Sequence, residues 1–253
     1  MAALDLDGLR GALRLMCPDQ DWSWLLALSR RIKARCTRKS KKYHAVTSDR
    51  LYVLGLELMD RAATNAEVAK GISKVHAIDY RDGLMIAFLA LIPLRRRTLT
   101  ALRIREQLVK TGNVWALVIP SADSKTRRSL DYPLCEELCA RIDVYVGSFR
   151  GRLPWAHTHD GLWPSNKRRP MCAIGIYKAV RRRTEKAFGH PVNPHRFRHA
   201  AANFWSIRDP QNVRGAKDLL GQASFGVTEK YYIAAQSRLA GHALADAVSK
   251  IRR

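Results

Sequence analysis

Apolar and polar positions alternate with a helical period through most of the chain and switch to a strand period once, near its middle. Residues 1 to about 36 carry two amphipathic patterns that break at Pro18 to Asp21, where Asp21 is placed to cap a helix bearing Trp22, Trp24, Leu25, Leu26 and Leu28. Ser48 stands as the N-cap of a further helix with Leu51, Leu54, Leu56, Leu58 and Met59. A more continuously apolar helix follows and ends near Pro93. The period then changes. Gln107 to Val109, Val114 to Ile119 and Ser129 to Tyr132 are short β-prone pieces, separated by Thr111-Gly112-Asn113 and by Ser121 to Arg128, and they predict a small three-stranded antiparallel sheet. Helical patterns resume at Cys135 to Val146 and again after Pro170, with Gly189 as the stop. A long polar loop is expected between them, from about Gly147 to Arg169. Asn193-Pro194 opens a helix through His195, Phe197, Ala201 and Trp205, and three more are expected at Gln211 to Leu220, Val227 to Ala235 and Leu239 to Ile251. The fold class is therefore mainly α with one small sheet, without an internal repeat.

Charge changes this picture most. Lys and Arg number 45 against 22 Asp and Glu, a formal net charge of +23 over 253 residues, and no single tail carries it. Such a chain favours a polyanionic partner. Eight basic residues and no acid lie between Arg30 and Lys42, which suits a solvated linker or a strap on phosphates and sets the expected boundary: a small helical region over 1–45 and a larger domain over 46–253.

The longest apolar run, Gly83 to Leu94, is well short of the roughly 20 residues that span a bilayer. The early acids of the N-terminus do not fit a secretory signal, so a cytoplasmic location without membrane contact is expected. Five cysteines without a CxxC pair read as reduced thiols. Cys135 with Cys139, and His157 with His159, lack partners at zinc-site spacing.

Four features bear on chemistry, each ordinary alone. Leu94-Arg95-Arg96-Arg97-Thr98-Leu99 follows the buried helix, where an arginine can present a fixed charged fork to a phosphate oxygen. Ser124-Lys125-Thr126 lies between two expected strands, where the ammonium can reach a cleft and donate a proton to a departing oxygen. In His195-Arg196-Phe197-Arg198-His199, the positions i, i+3 and i+4 share one helix face and combine proton relay with a second guanidinium. Tyr231-Tyr232 lies nine residues after Gln222, and a phenol attacks readily only beside cations or a base.

The order Leu-Arg-x-x-x-Leu, Ser-Lys-Thr on a hairpin, Pro-His-x-x-Arg-His, then Leu-Leu-Gly-x and a Tyr resembles the tyrosine recombinase (phage integrase) family over about residues 45 to 240. The resemblance implies the integrase catalytic fold. It makes Arg95 and Arg198 the clamp on the scissile phosphate of double-stranded DNA, and Lys125 the acid for the leaving 5′ oxygen. His195 assists proton transfer, Gln222 donates to a phosphate oxygen, and Tyr231 is the nucleophile forming a 3′-phosphotyrosyl bond. It further implies no cofactor and no metal, a homo-tetramer on paired sites with Leu239 to Arg253 as the docking segment, and a nucleoid-associated recombinase or integrase of a mobile element.

Several positions depart from the family pattern. Gln222 replaces the usual His or Trp and cannot carry a proton. Pro93 and Thr98 replace the usual Gly and Glu, which leaves Arg96 as a second candidate beside Arg95. Tyr232 competes with Tyr231, which the spacing from Gly221 favours. Residues 1 to about 45 resemble only the end of the family's helical core-binding domain. These departures leave open a degenerate, catalytically weak DNA-binding remnant. A type IB topoisomerase shares the chemistry, and a basic RNA-associated protein would account for the charge alone.

Overall fold

A computed structural model describes residues 2–35, 46–121 and 130–208. The chain divides into two compact units, 1–44 and 45–253. In the first, α1 (Ala2–Met16) and α2 (Ser23–Arg35) pair as the apolar spacing predicts. The second helix starts at Ser23, after Trp22, so Asp21 lies one position before the N-cap; it accepts from the Ser23 N–H at 2.9 Å and from its hydroxyl at 2.6 Å. Ser29 is buried and donates to Asp7 at 2.8 Å, joining the two helices.

The second unit is built on α3 (Ser48–Val68) and α4 (Lys74–Leu91). Thr47, one position before the expected cap, occupies the N-cap of α3. The helix buries Leu51, Leu54, Leu58, Met59, Ala62 and Ala66 on one face. α4 is buried on every face from Tyr80 to Ala90, which is why its sequence lacks an amphipathic pattern. Its start is a capping box in which His76 N–H donates to Ser73 Oγ and Ser73 N–H donates to His76 Nδ1. The two helices touch backbone to backbone at a pair of glycines. A Cβ on Gly55 would lie 2.6 Å from the Ala87 nitrogen, and one on Gly83 would lie 2.8 Å from the Gly55 carbonyl.

After the short α5 (Arg96–Ala101), strands β1 (Leu108–Thr111), β2 (Val114–Ile119) and β3 (Leu130–Pro133) form an antiparallel sheet in that order. Leu108 opposes Leu117, and Leu117 opposes Tyr132. Gly112 takes φ +60° at the first turn. Trp115, Leu117 and Ile119 alternate inward, so the period-2 pattern packs one sheet face on the core. The fold is thus mainly helical with one small three-stranded sheet, in the elements the hydrophobic pattern predicts.

One expectation is corrected. Helix α6 (Glu136–Val144) continues into a wider turn over Tyr145–Phe149, and the polar loop expected from Gly147 to Arg169 is largely structural. Leu153, Ala156, Leu162 and Trp163 from this stretch are buried in the core. The Leu162 N–H donates to the Leu102 carbonyl at 2.8 Å, and Trp163 Nε1 donates to the Leu99 carbonyl at 3.0 Å, so the segment braces the C-terminal end of α5. Apolar residues here are too sparse and irregular to show a period, yet each fills a core position. A two-stranded hairpin, β4 (Pro164–Lys167) with β5 (Arg169–Pro170), leads into α7 (Ala173–Phe188). Gly189 ends α7 at φ +71°, as its position predicts.

α7 is joined to α4 by a buried ionic node. The Asp82 carboxylate, shielded from solvent, accepts from Arg81 at 2.8 and 3.2 Å, from Arg183 at 3.0 Å and from Arg182 at 3.3 Å. Arg183 also bonds Asp79, and Arg81 donates to the Pro164 carbonyl at 2.8 Å, which extends the node to β4. Thr184 then accepts the Val192 N–H at 2.9 Å and sets the approach to α8 (Pro194–Arg208). Among the described residues no helix is long and apolar enough to cross a membrane. The helices expected after residue 208 lie outside the described residues.

Candidate functional site

Arg95 follows α4 after three buried residues, Ile92, Pro93 and Leu94, and is the N-cap of α5 with φ −66° and ψ 143°. This extended conformation turns the chain out of the core immediately before a new helical turn. Arg95 is half-buried, whereas Arg96 and Arg97 are exposed. The three consecutive arginines, equivalent as text, therefore occupy different environments.

Arg198 comes to the same place from the other end of the domain. Pro194 opens α8 with no N–H of its own to satisfy, and the Arg196 N–H bonds the Asn193 carbonyl at 2.9 Å. Phe197, Ala200 and Ala201 bury the opposite face of α8. Arg198 then donates through Nη1 to the Pro93 carbonyl at 2.6 Å, two positions before Arg95. Its guanidinium is pushed down to about 10, first by burial and then by the Arg95 charge, with the Tyr132 phenol of β3 opposing the shift. It stays charged at neutral pH. Two like charges brought together in a partly desolvated place favour an anion beside them.

His195 is exposed on the same helix face. Its ring centroid lies 4.8 Å from that of His199, the planes nearly perpendicular at 87°. His199 is half-buried and held below its ordinary value by burial first, then by His195, Arg196 and Arg198, so it is neutral at physiological pH.

Of the sequence-derived candidates, Arg95, His195 and Arg198 are described; Arg95 and Arg198 interact, and His195 shares the face of α8. Lys125, Gln222, Tyr231 and the competing Tyr232 lie outside the described residues. Sequence reasoning missed the Pro93 carbonyl as the acceptor that aims Arg198, because a backbone acceptor leaves no mark on residue type. It also missed Tyr132, whose signal was available: it sits on the strand that follows the Lys125 turn.

No metal-ligand cluster occurs among the described residues. Cys139 is a buried core thiol that accepts the Trp115 N–H at 3.3 Å, while Cys135 is exposed, so the pair does not form one site.

Comparison with known proteins places this arrangement. Residues 61–238 match the Phage integrase family. The tyrosine recombinase XerD of Halalkalibacterium halodurans is 22% identical over 108 residues, covering 42% of this chain and 36% of that protein. Among solved structures, XerH site-specific recombinase bound to palindromic difH substrate in a post-cleavage complex aligns with a TM-score of 0.56 at 17% identity, covering 78% of this chain and 52% of that one. XerA recombinase aligns at 0.54 and 18%, covering 95% and 82%. The chain thus spans about a third of the XerD sequence and about half of XerH, and the structural likenesses show the fold. With a family match across most of the chain and two arginines converging on the end of one core helix, the protein belongs to the Phage integrase family and has the tyrosine recombinase catalytic fold.

Proposed function

We propose that the chain is a site-specific DNA recombinase of a mobile element, which cuts and rejoins double-stranded DNA through a 3′-phosphotyrosyl intermediate. The observation that carries this reading is the convergence of Arg95 and Arg198, two cations more than 100 residues apart in sequence that interact beside the Pro93 carbonyl. In this reading they clamp the two non-bridging oxygens of the scissile phosphate and stabilise the charge that grows on them in the transition state. The Tyr231 oxygen attacks phosphorus, the bond to the 5′ oxygen breaks, and Lys125 supplies the proton that oxygen needs. His195 manages the phenol proton, and Gln222 donates to a phosphate oxygen. Attack by the free 5′ hydroxyl of a partner strand reverses these steps, so the phosphodiester energy is conserved. Residues 1–45 serve as the helical core-binding region and basic linker, 46–253 as the catalytic domain, and four copies assemble on paired sites.

Gln222 and Thr98 favour a second reading, a DNA-binding remnant that no longer cleaves. Covalent trapping separates the two, using a nicked or 5′-bridging phosphorothiolate duplex from the flanks of the gene and a denaturing gel. An adduct lost in Tyr231→Phe and kept in Tyr232→Phe establishes the chemistry. Arg95→Gln should reduce it by about a hundredfold or more, the usual effect of removing one transition-state donor. Arg96→Gln, at an exposed position, should change it by no more than a few-fold. No adduct, with salt-sensitive binding retained, establishes the remnant.

A further inference from the structure

The β4–β5 hairpin carries Lys167, Arg168 and Arg169 in succession, all exposed. Its backbone is fixed without them. Ser165 Oγ donates to the Arg169 carbonyl at 2.6 Å and accepts the Lys167 N–H at 3.0 Å. Among the described residues no carboxylate lies within 4.0 Å of any of the three cations. Three adjacent like charges repel one another, and no carboxylate among the described residues offsets that repulsion.

Beside them, the Arg168 guanidinium carbon sits 4.4 Å from the centroid of the Trp155 ring. Trp155 is 37% exposed and holds a left-handed backbone, φ 59° and ψ 11°. A bulky residue persists there only where its surroundings over-determine it, and such positions concentrate at functional places. The surroundings do so here. Arg150 donates to the carbonyls of Ala156, His159 and Gly161 at 3.0, 2.6 and 2.9 Å, and the Thr158 N–H and hydroxyl both bond the Trp155 carbonyl. The strained turn thus presents an indole with one guanidinium of the cluster over its ring at the surface.

We propose that Trp155, Lys167, Arg168 and Arg169 form a second contact surface for the sugar–phosphate backbone of duplex DNA, built from residues other than the Arg95–Arg198 pair; it rests on reading the chain as a DNA recombinase. The backbone is the target because one indole face is already covered by Arg168, leaving cations to act. Guanidinium and ammonium groups without carboxylate partners suit phosphate oxygens. The contact positions the duplex and carries no base sequence.

The test is binding of the full chain to a random-sequence 30-base-pair duplex across a salt series. The triple variant Lys167→Gln, Arg168→Gln, Arg169→Gln should lower the slope of log affinity against log salt by about 2.7, at about 0.9 per phosphate contact, and weaken binding about tenfold or more at low salt. Trp155→Asn keeps the charges and tolerates the left-handed backbone; it should weaken binding about two- to fivefold, what an exposed cation–π contact supplies. Wild-type binding with an unchanged slope in the triple variant overturns the hairpin surface and leaves the recombinase reading standing. A larger loss on single-stranded DNA or RNA than on the duplex overturns the assignment to duplex backbone. Failure of the wild type to bind duplex at low salt overturns both readings.

Discussion

Replacing Asp82 by Asn removes the anion from a place where three arginines meet. The Asp82 side chain has no exposed surface, and Arg81 and Arg183, its nearest partners, are 8% and 14% exposed. An amide of the same shape can still accept at one oxygen but cannot balance the buried Arg81 guanidinium, while Arg183 keeps only Asp79. Breaking a buried pair from one side costs about 3–5 kcal/mol, because the partner is left desolvated and uncompensated. In a chain of this length each kcal/mol moves the melting temperature by about 2–4 °C, so Asp82→Asn should melt roughly 10 °C lower. Arg182, whose side chain is 66% exposed, is the internal control: Arg182→Ala should cost less than about 1 kcal/mol. The assay is thermal and urea unfolding of the three proteins side by side. An Asp82→Asn protein melting within about 2 °C of the wild type would refute the reasoning, since the node would then not be desolvated in solution.

Two further outcomes follow from the same packing. Gly55→Ala should destabilise the fold by about 1–3 kcal/mol despite the better helix propensity of alanine, because its Cβ meets the α4 backbone; a melting temperature at or above wild type would show that the crossing can open. His159 and His199 both have values held below the ordinary 6.5, His159 by burial and then by the Arg150 charge, His199 by burial and then by His195. Between the depressed folded values and 6.5 the unfolded chain binds more protons, so stability falls as pH drops through this window, and the His159→Asn, His199→Asn double variant should melt with a flatter pH dependence from 7.5 to 5.5.

How much was readable in advance depends on the kind of signal. The three strands, the Gly189 stop and the opening of α8 at Pro194 are local events, decided by a few adjacent residues. The segment from Gly147 to Arg169 was not readable as core. Leu162 and Trp163 are buried because distant elements close over them, and no period marks that. At the site, residue types and order pointed to Arg95, His195 and Arg198. The sequence left Arg96 as a second candidate beside Arg95, and nothing in residue type shows that the two have different surroundings: Arg95 is the half-buried cap of α5 and Arg96 an exposed first-turn residue. The ionic node escaped notice because Arg81, Asp82 and Arg183 look like ordinary surface charges until α7 folds against α4.

The hydrogen bond from Arg198 to the Pro93 carbonyl spans 105 positions of sequence. Closing a loop of that length costs about 4 kcal/mol of chain entropy beyond a constant, more than one such bond returns. The bond therefore reports closure rather than causing it: the docking of α8 on α3, α4 and α7 brings the ends together. A ribosome-bound chain that has exposed Arg95 but not yet the residues of α8 holds one arginine and no clamp. The pairing of Arg95 with Arg198 therefore arises only after α8 has been made and has docked on α3, α4 and α7.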